Sequence, residues 1–141
     1  MDAMLERERA VIEAGVRELT APVTIQSYTS DVESWYSHTE RLLLEKIAAA
    51  SPHVTLEMLV GDWDHVREEA VGIARTPAIK LAGTRAYDIV WYGQPDGYEL
   101  ETFMANVRCA AHGRSELTPR SVAELGAVKD PIHLEVLISS T

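Results

Sequence analysis

Two short runs of alternating hydrophobicity, residues 23–28 and 54–60, flank a stretch whose apolar residues recur at helical spacing. In the first run Val23, Ile25 and Ser27 alternate with Thr24, Gln26 and Tyr28; in the second Val54, Leu56, Met58 and Val60 carry the pattern. A period of two is that of a strand covered on at least one face. Between them residues 34–50 read as a helix, with Leu42, Leu43, Leu44 and Ile47 giving a broad apolar face suited to a sheet. Strand, helix and strand in that order close as a right-handed parallel unit. This constraint rules out all-α and all-β architectures before the rest of the chain is read.

The remainder adds to that unit at its edges. Residues 2–19 are rich in helix formers, with Leu5, Ile12, Val16 and Leu19 as one stripe, and Thr20-Ala21-Pro22 ends them. After Gly61, Asp62 or Asp64 caps a short helix running to about Ile73. Ala78-Ile79-Lys80-Leu81 is a third strand, and Asp88-Ile89-Val90-Trp91-Tyr92 a fourth, antiparallel to the third because the connection is so short. A last long helix over 98–111 turns Leu100, Phe103, Met104 and Val107 inward and stops at Gly113. The predicted fold is α/β: a mixed four-stranded sheet (23–28, 54–60, 78–81, 88–92) with helices on both faces and an extra N-terminal helix.

Residues 1–113 make up that domain, and 114–141 are a C-terminal helix–strand extension. Thr118-Pro119 opens its helix. Residues 132–138 alternate like a strand and echo the first one: Asp130-Pro131-Ile132-His133-Leu134 against Ala21-Pro22-Val23-Thr24-Ile25. An apolar strand without a sheet of its own is an aggregation liability, so it is expected to pair with the domain's own sheet edge or with a second copy in a homodimer.

Charge and cysteine content bound the partners. With 13 basic against 22 acidic residues in 141, the net charge is −9, which repels phosphate backbones and anionic bilayers. No nucleic-acid partner is expected. Nor is a membrane one, since no apolar run reaches the roughly 18 residues of a span and the N-terminus is too charged for a secretory signal. The single cysteine, Cys109, cannot form an intrachain disulfide, which suits a reducing compartment, by default the cytoplasm. It reads as a small buried side chain. No phosphate-binding glycine loop or dinucleotide fingerprint appears, and no cofactor is expected.

Two segments stand out as chemistry-bearing. Ser34-Trp35-Tyr36-Ser37 sets two hydroxyls three residues apart in the first turn of the helix after the first strand, and Arg75-Thr76-Pro77-Ala78 leads into the third strand. With Tyr92-Gly93-Gln94-Pro95-Asp96-Gly97-Tyr98-Glu99 before the last helix, the chain from about Leu19 onward resembles the first half of the tandem thioredoxin-fold proteins. These are the glutaredoxin-like protein disulfide oxidoreductases and the N-terminal domain of the alkyl hydroperoxide reductase flavoprotein subunit. The resemblance implies a thioredoxin-like fold, a cis bond before Pro77, Ser34 and Ser37 at the positions of the redox cysteines, and an extension that starts a second repeat.

Serines cannot do the work of those cysteines. A helix N-terminus stabilises an anion by up to about 2 kcal/mol, enough to bring a thiol from about 8.5 to near neutrality. A hydroxyl starts far too high for the same help to matter, so Ser34 reads as an N-cap. A serine hydrolase using His38 as base lacks a nucleophile elbow and an orienting group. Asp62-Trp63-Asp64-His65 is read as helix capping, not a metal site, and His53, His112 and His133 are scattered. Thr76 and Pro77, with Trp35 and Tyr36 beside them, are read as a surface where a protein or peptide partner pairs by strand addition. The expected function is a redox-inactive binding or scaffold module. The alternative is a thiol-disulfide oxidoreductase whose cysteines were replaced by serine or lie past residue 141.

Overall fold

A computed structural model describes residues 2–30, 35–63, 68–85 and 87–137. Along the chain these form α1 (Asp2–Val16), β1 (Val23–Thr29), α2 (Trp35–Ala49), β2 (Val54–Val60), α3 (Glu68–Val71), β3 (Ala78–Ala82), β4 (Val90–Tyr92), α4 (Glu99–His112) and α5 (Pro119–Gly126). The strand–helix–strand unit is as its periodicity requires. β1 and β2 run parallel, in register from Val23↔Val54 to Thr29↔Val60, with α2 as the crossover. β3 lies antiparallel on the other side of β1, pairing Tyr28↔Ala78 through Thr24↔Ala82, and β4 lies antiparallel on β3. The sheet is therefore mixed, in the order β2-β1-β3-β4.

Alternation along β1 divides the interior in two. Val23 and Ile25, joined by Val54, Ile79 and Leu81, meet Ile12 and Val16 of α1, Leu43, Leu44 and Ile47 of α2, and Leu100, Phe103, Met104 and Val107 of α4. Burying each such side chain contributes about 1.5–3 kcal/mol. Phe103, wholly buried, meets Trp91 edge to face at 5.5 Å. On the opposite face Tyr28, Ile73 and Ala78 form a smaller cluster with Leu59, Trp63, Val71 and Val90. Helices accordingly cover both faces.

One glycine is demanded by packing. A Cβ on Gly83 would overlap the carbonyl oxygen of Ala110, and the next residue, Thr84, donates its N–H to that same oxygen at 2.9 Å. The turn after β3 thus lies directly on α4. Gly113, at φ 65°, supplies the left-handed cap that ends α4 and donates its N–H to Cys109 O.

Several expectations need correction. β4 starts at Val90, not Asp88, because Asp88 has a left-handed backbone (φ 51°) that removes it from the ladder. Leu42 is exposed: two residues along a helix is a rotation of about 200°, so with Leu44 inward Leu42 points away. Leu5 is also exposed, at the rim of an apolar groove between α1 and α2 that Ile12 and Ala50 line as well. Cys109 is half-buried, not enclosed. α3 occupies only Glu68–Val71 among the described residues and ends at Gly72, φ 70°, which frees Ile73 to turn into the smaller cluster.

The extension behaves differently from the body. α5 begins where Thr118-Pro119 predicts, with Thr118 Oγ1 accepting the Ser121 N–H at 3.2 Å. It buries no residue, leaving Val122 and Leu125 exposed, as is Leu117 just ahead of it. Residues 132–137 join no ladder, and Leu134, Val136 and Leu137 are 83, 81 and 96 % exposed. Pairing of this segment with the domain's own sheet edge is therefore overturned over 132–137: the chain leaving α5 meets neither β2 nor β4. Ile138 lies outside the described residues.

Candidate functional site

The sheet gives the molecule two unlike ends. At the end where β1 finishes, Tyr28 pairs with Ala78, which directly follows Pro77. The Thr76–Pro77 peptide bond is cis, and both residues are half-buried. Ala78 also pairs with Tyr92, the last residue of β4, so the segment before β3 lies beside the β4 terminus. The two are fastened together there. Tyr92 Oη accepts the Ala74 N–H at 2.8 Å, and the Arg75 guanidinium stacks over the Tyr92 ring at 4.4 Å. Ile73, one residue earlier, is buried against the smaller cluster.

α2 begins at this same end, because β1 runs toward it and the chain enters the helix six residues after Thr29. Thr39, in the second turn of α2, donates its hydroxyl to Gln94 Oε1 at 2.8 Å, tying the helix to the loop that follows β4. Pro95 is buried beside that contact. Topology thus brings the start of α2, the Pro77 segment and the loop at 93–97 to one end of the sheet. Trp35, Tyr36 and Ser37 lie in the first turn of α2. Ser34, and its reading as an N-cap, falls outside the described residues, as do Asp64 and His65.

Two features lie outside the candidate residues that the sequence singles out. Arg75 and Tyr92 are one, since nothing in the separation of residues 75 and 92 signals a cation over a ring. Glu40 is the other, although the pattern marks it. It precedes Leu43, Leu44 and Ile47 by three, four and seven residues, so it shares their inward stripe. Ser27 continues the inward series of Val23 and Ile25 on β1. The two polar positions meet: Ser27 Oγ donates to Glu40 Oε1 at 3.0 Å, with both residues buried. Burial raises the Glu40 pKa above the ordinary carboxylate range, and the hydrogen bond from Ser27 offsets part of that rise.

Other candidate groups are dispersed. His38 is exposed, and its Nδ1 lies 3.2 Å from Arg41 Nη2, a donor and not the carboxylate that orients a catalytic imidazole. Trp63 packs edge to face on Tyr28 at 4.9 Å and donates to Leu59 O at 2.9 Å, so it belongs to the second cluster. No group of three or more His, Cys, Asp or Glu side chains among the described residues is arranged to hold a metal ion. Cys109 sits at the far end of the sheet. There the Thr20 N–H donates to His112 Nε2 at 3.2 Å, just ahead of β1, while Pro77 lies next to the residue paired with Tyr28 near the end of β1.

No protein-family model and no curated protein matches the chain. Solved structures do match it. AhpF, a component of the alkylhydroperoxide reductase of Enterococcus faecalis, superposes with a TM-score of 0.69 at 20 % identity, over 88 % of this chain and 60 % of that one. The N-terminal N/C domain of the same protein gives 0.64 at 21 %, over 82 % and 56 %. A protein disulfide oxidoreductase of Aeropyrum pernix gives 0.67 at 17 %, over 88 % and 55 %. The fold is thioredoxin-like. The chain spans between 55 % and 60 % of the length of these three solved chains. Within the thioredoxin-like body no described helix is long and apolar enough to cross a membrane.

Proposed function

We propose that this chain is a thioredoxin-fold binding module that positions a protein partner of thiol redox metabolism and exchanges no disulfide through residues 34–37. The observation that carries the reading is the location of the one thiol in 141 residues: Cys109 lies at the opposite end of the sheet from Pro77. Disulfide exchange needs a thiolate attacking a sulfur through a mixed disulfide. Ser34 and Ser37 offer hydroxyls instead. What remains at this end is a surface built from the first turn of α2 and the strand entrance at Thr76–Pro77, where an extended segment of a partner would pair with the backbone by strand addition. The solved relatives named above support the redox setting. A reducing, cytoplasmic compartment fits a lone unpaired cysteine.

An insulin-reduction assay with dithiothreitol tests the catalytic half of the reading: no acceleration above the uncatalysed rate is expected. Turnover by the native sequence would overturn it. The Ser34→Cys/Ser37→Cys variant decides between lineages, since efficient turnover favours the oxidoreductase alternative and inertness favours a dedicated module. The binding half is tested by titrating labelled protein with oxidised insulin B chain. Amide shifts are expected around 35–39 and 74–79, and shifts confined to other regions would remove the partner surface. We further propose that residues 132–138 pair with a second copy of the chain.

A further inference from the structure

Among the described residues Glu40 is the one carboxylic acid buried in the core, at 1 % exposure. Its surroundings are unequal to a charge. Oε1 takes the Ser27 hydroxyl, whereas Oε2 has no hydrogen-bond partner. A carboxylate held out of water requires several donors or a nearby cation. Helical side chains lean toward the N-terminus, so the acid group lies over the turn that precedes Glu40, on the side facing β1.

Among the described residues the neighbouring elements supply no compensating charge. On α2, His38 and Arg41 contact each other, and Glu45 and Lys46 pair with Arg41 and with Glu8 of α1. On β1 the nearest titratable side chain, Tyr28, belongs to the opposite face. Glu57 of β2 is bonded to Gln26, and Lys80 of β3 donates to Val71 O. Asp96 of the loop before α4, and Glu99 and Glu101 of α4, are exposed.

We propose that Glu40 and Ser27 form a proton-dependent clasp between α2 and β1, tight while Glu40 is protonated and loosened by its ionisation, with the Ser27 hydroxyl still bonded to the carboxylate. The shift follows the same logic, since burial outweighs the Ser27 hydrogen bond in setting the direction. With the folded pKa above the unfolded one, the clasp contributes fully below the unfolded value. Its contribution is lost as pH rises through the folded one. Loosening the clasp acts on the Pro77 end of the sheet, because Ser27 pairs with Ile79 and its neighbour Tyr28 with Ala78. This inference stands independently of the partner reading.

Carbon-13 NMR of the glutamate carboxyls in the full chain, run against pH, tests it together with amide hydrogen-exchange protection factors. The Glu40 midpoint should lie above that of glutamates in the same chain unfolded in urea, and protection along α2, Ser27 and Ile79 should fall across that midpoint. Glu40→Gln should abolish the step in protection. Ser27→Ala, which removes the one donor, should move the midpoint higher, and it keeps the test decisive if the glutamine variant does not fold. A Glu40 midpoint at or below the unfolded reference, a protection step that survives Glu40→Gln, or a downward or absent shift in Ser27→Ala would each overturn the clasp.

Discussion

At the scale of single residues, a hydroxyl at positions 34 and 37 supplies no sulfur through which a disulfide could be exchanged. What a residue contributes is set by the atoms it faces. Gly83 shows this most sharply, because the turn after β3 rests on the α4 backbone and leaves no room for a methyl group. Gly83→Ala should destabilise the domain by about 1–3 kcal/mol, the usual cost of overpacking. Urea unfolding followed by circular dichroism measures it, and an unchanged midpoint would contradict the close approach. Glu40 and Ser27 illustrate what is legible at this scale and easily passed over. Each is a polar residue on an otherwise apolar stripe, visible from period alone, but only the juxtaposition of α2 and β1 reveals that one satisfies the other. Arg75 over Tyr92 has no such signal, since its two halves are brought together by the β3–β4 pairing and not by spacing.

At the scale of elements, periodicity reads well wherever one face is continuously covered. β2 spans the residues that alternation marks, Val54–Val60, and β1 extends one residue beyond its expected end, to Thr29. Where a side chain or backbone angle departs from the run, the pattern misleads: Asp88 looks like a strand residue by position, but its left-handed backbone ends the ladder. The segment at 72–77 is held by side chains from another element more than by its own propensity. Tyr92→Phe should therefore keep the ring under Arg75 and lose the acceptor for the Ala74 N–H. A cost of about 1 kcal/mol is expected, the net worth of one hydrogen bond. Hydrogen exchange should report it as faster exchange at Ala74, with β1 and β2 unaffected. Uniform acceleration across the sheet would show instead that the bond supports the whole body.

For the whole molecule, α4 ends at the Gly113 cap, and the chain beyond it forms α5 and a run over 132–137 that joins no ladder. α5 buries none of its side chains, and among the described residues the side-chain hydrogen bonds that tie 114–137 to the body run from Arg108 to Glu116, at 3.2 and 2.9 Å. Exposed ion pairs of this type contribute about 0–1 kcal/mol. A chain ending at Gly113 should therefore melt within a few degrees of the 141-residue protein. If residues 132–138 pair between copies, the full chain should be dimeric by multi-angle light scattering and the shortened chain monomeric. Equal masses for the two would remove that contact. The strand-like alternation of 132–137 is legible, but alternation specifies only that a segment suits a ladder and never which edge receives it.

The Arg108–Glu116 tether has a practical corollary. Because so slight a link joins α5 to everything before it, a fluorophore, a second binding domain or a surface anchor spliced in after Gly113 would ride on the body without disturbing its thermodynamics. The junction is a ready-made attachment point, and raising the ionic strength would loosen it first.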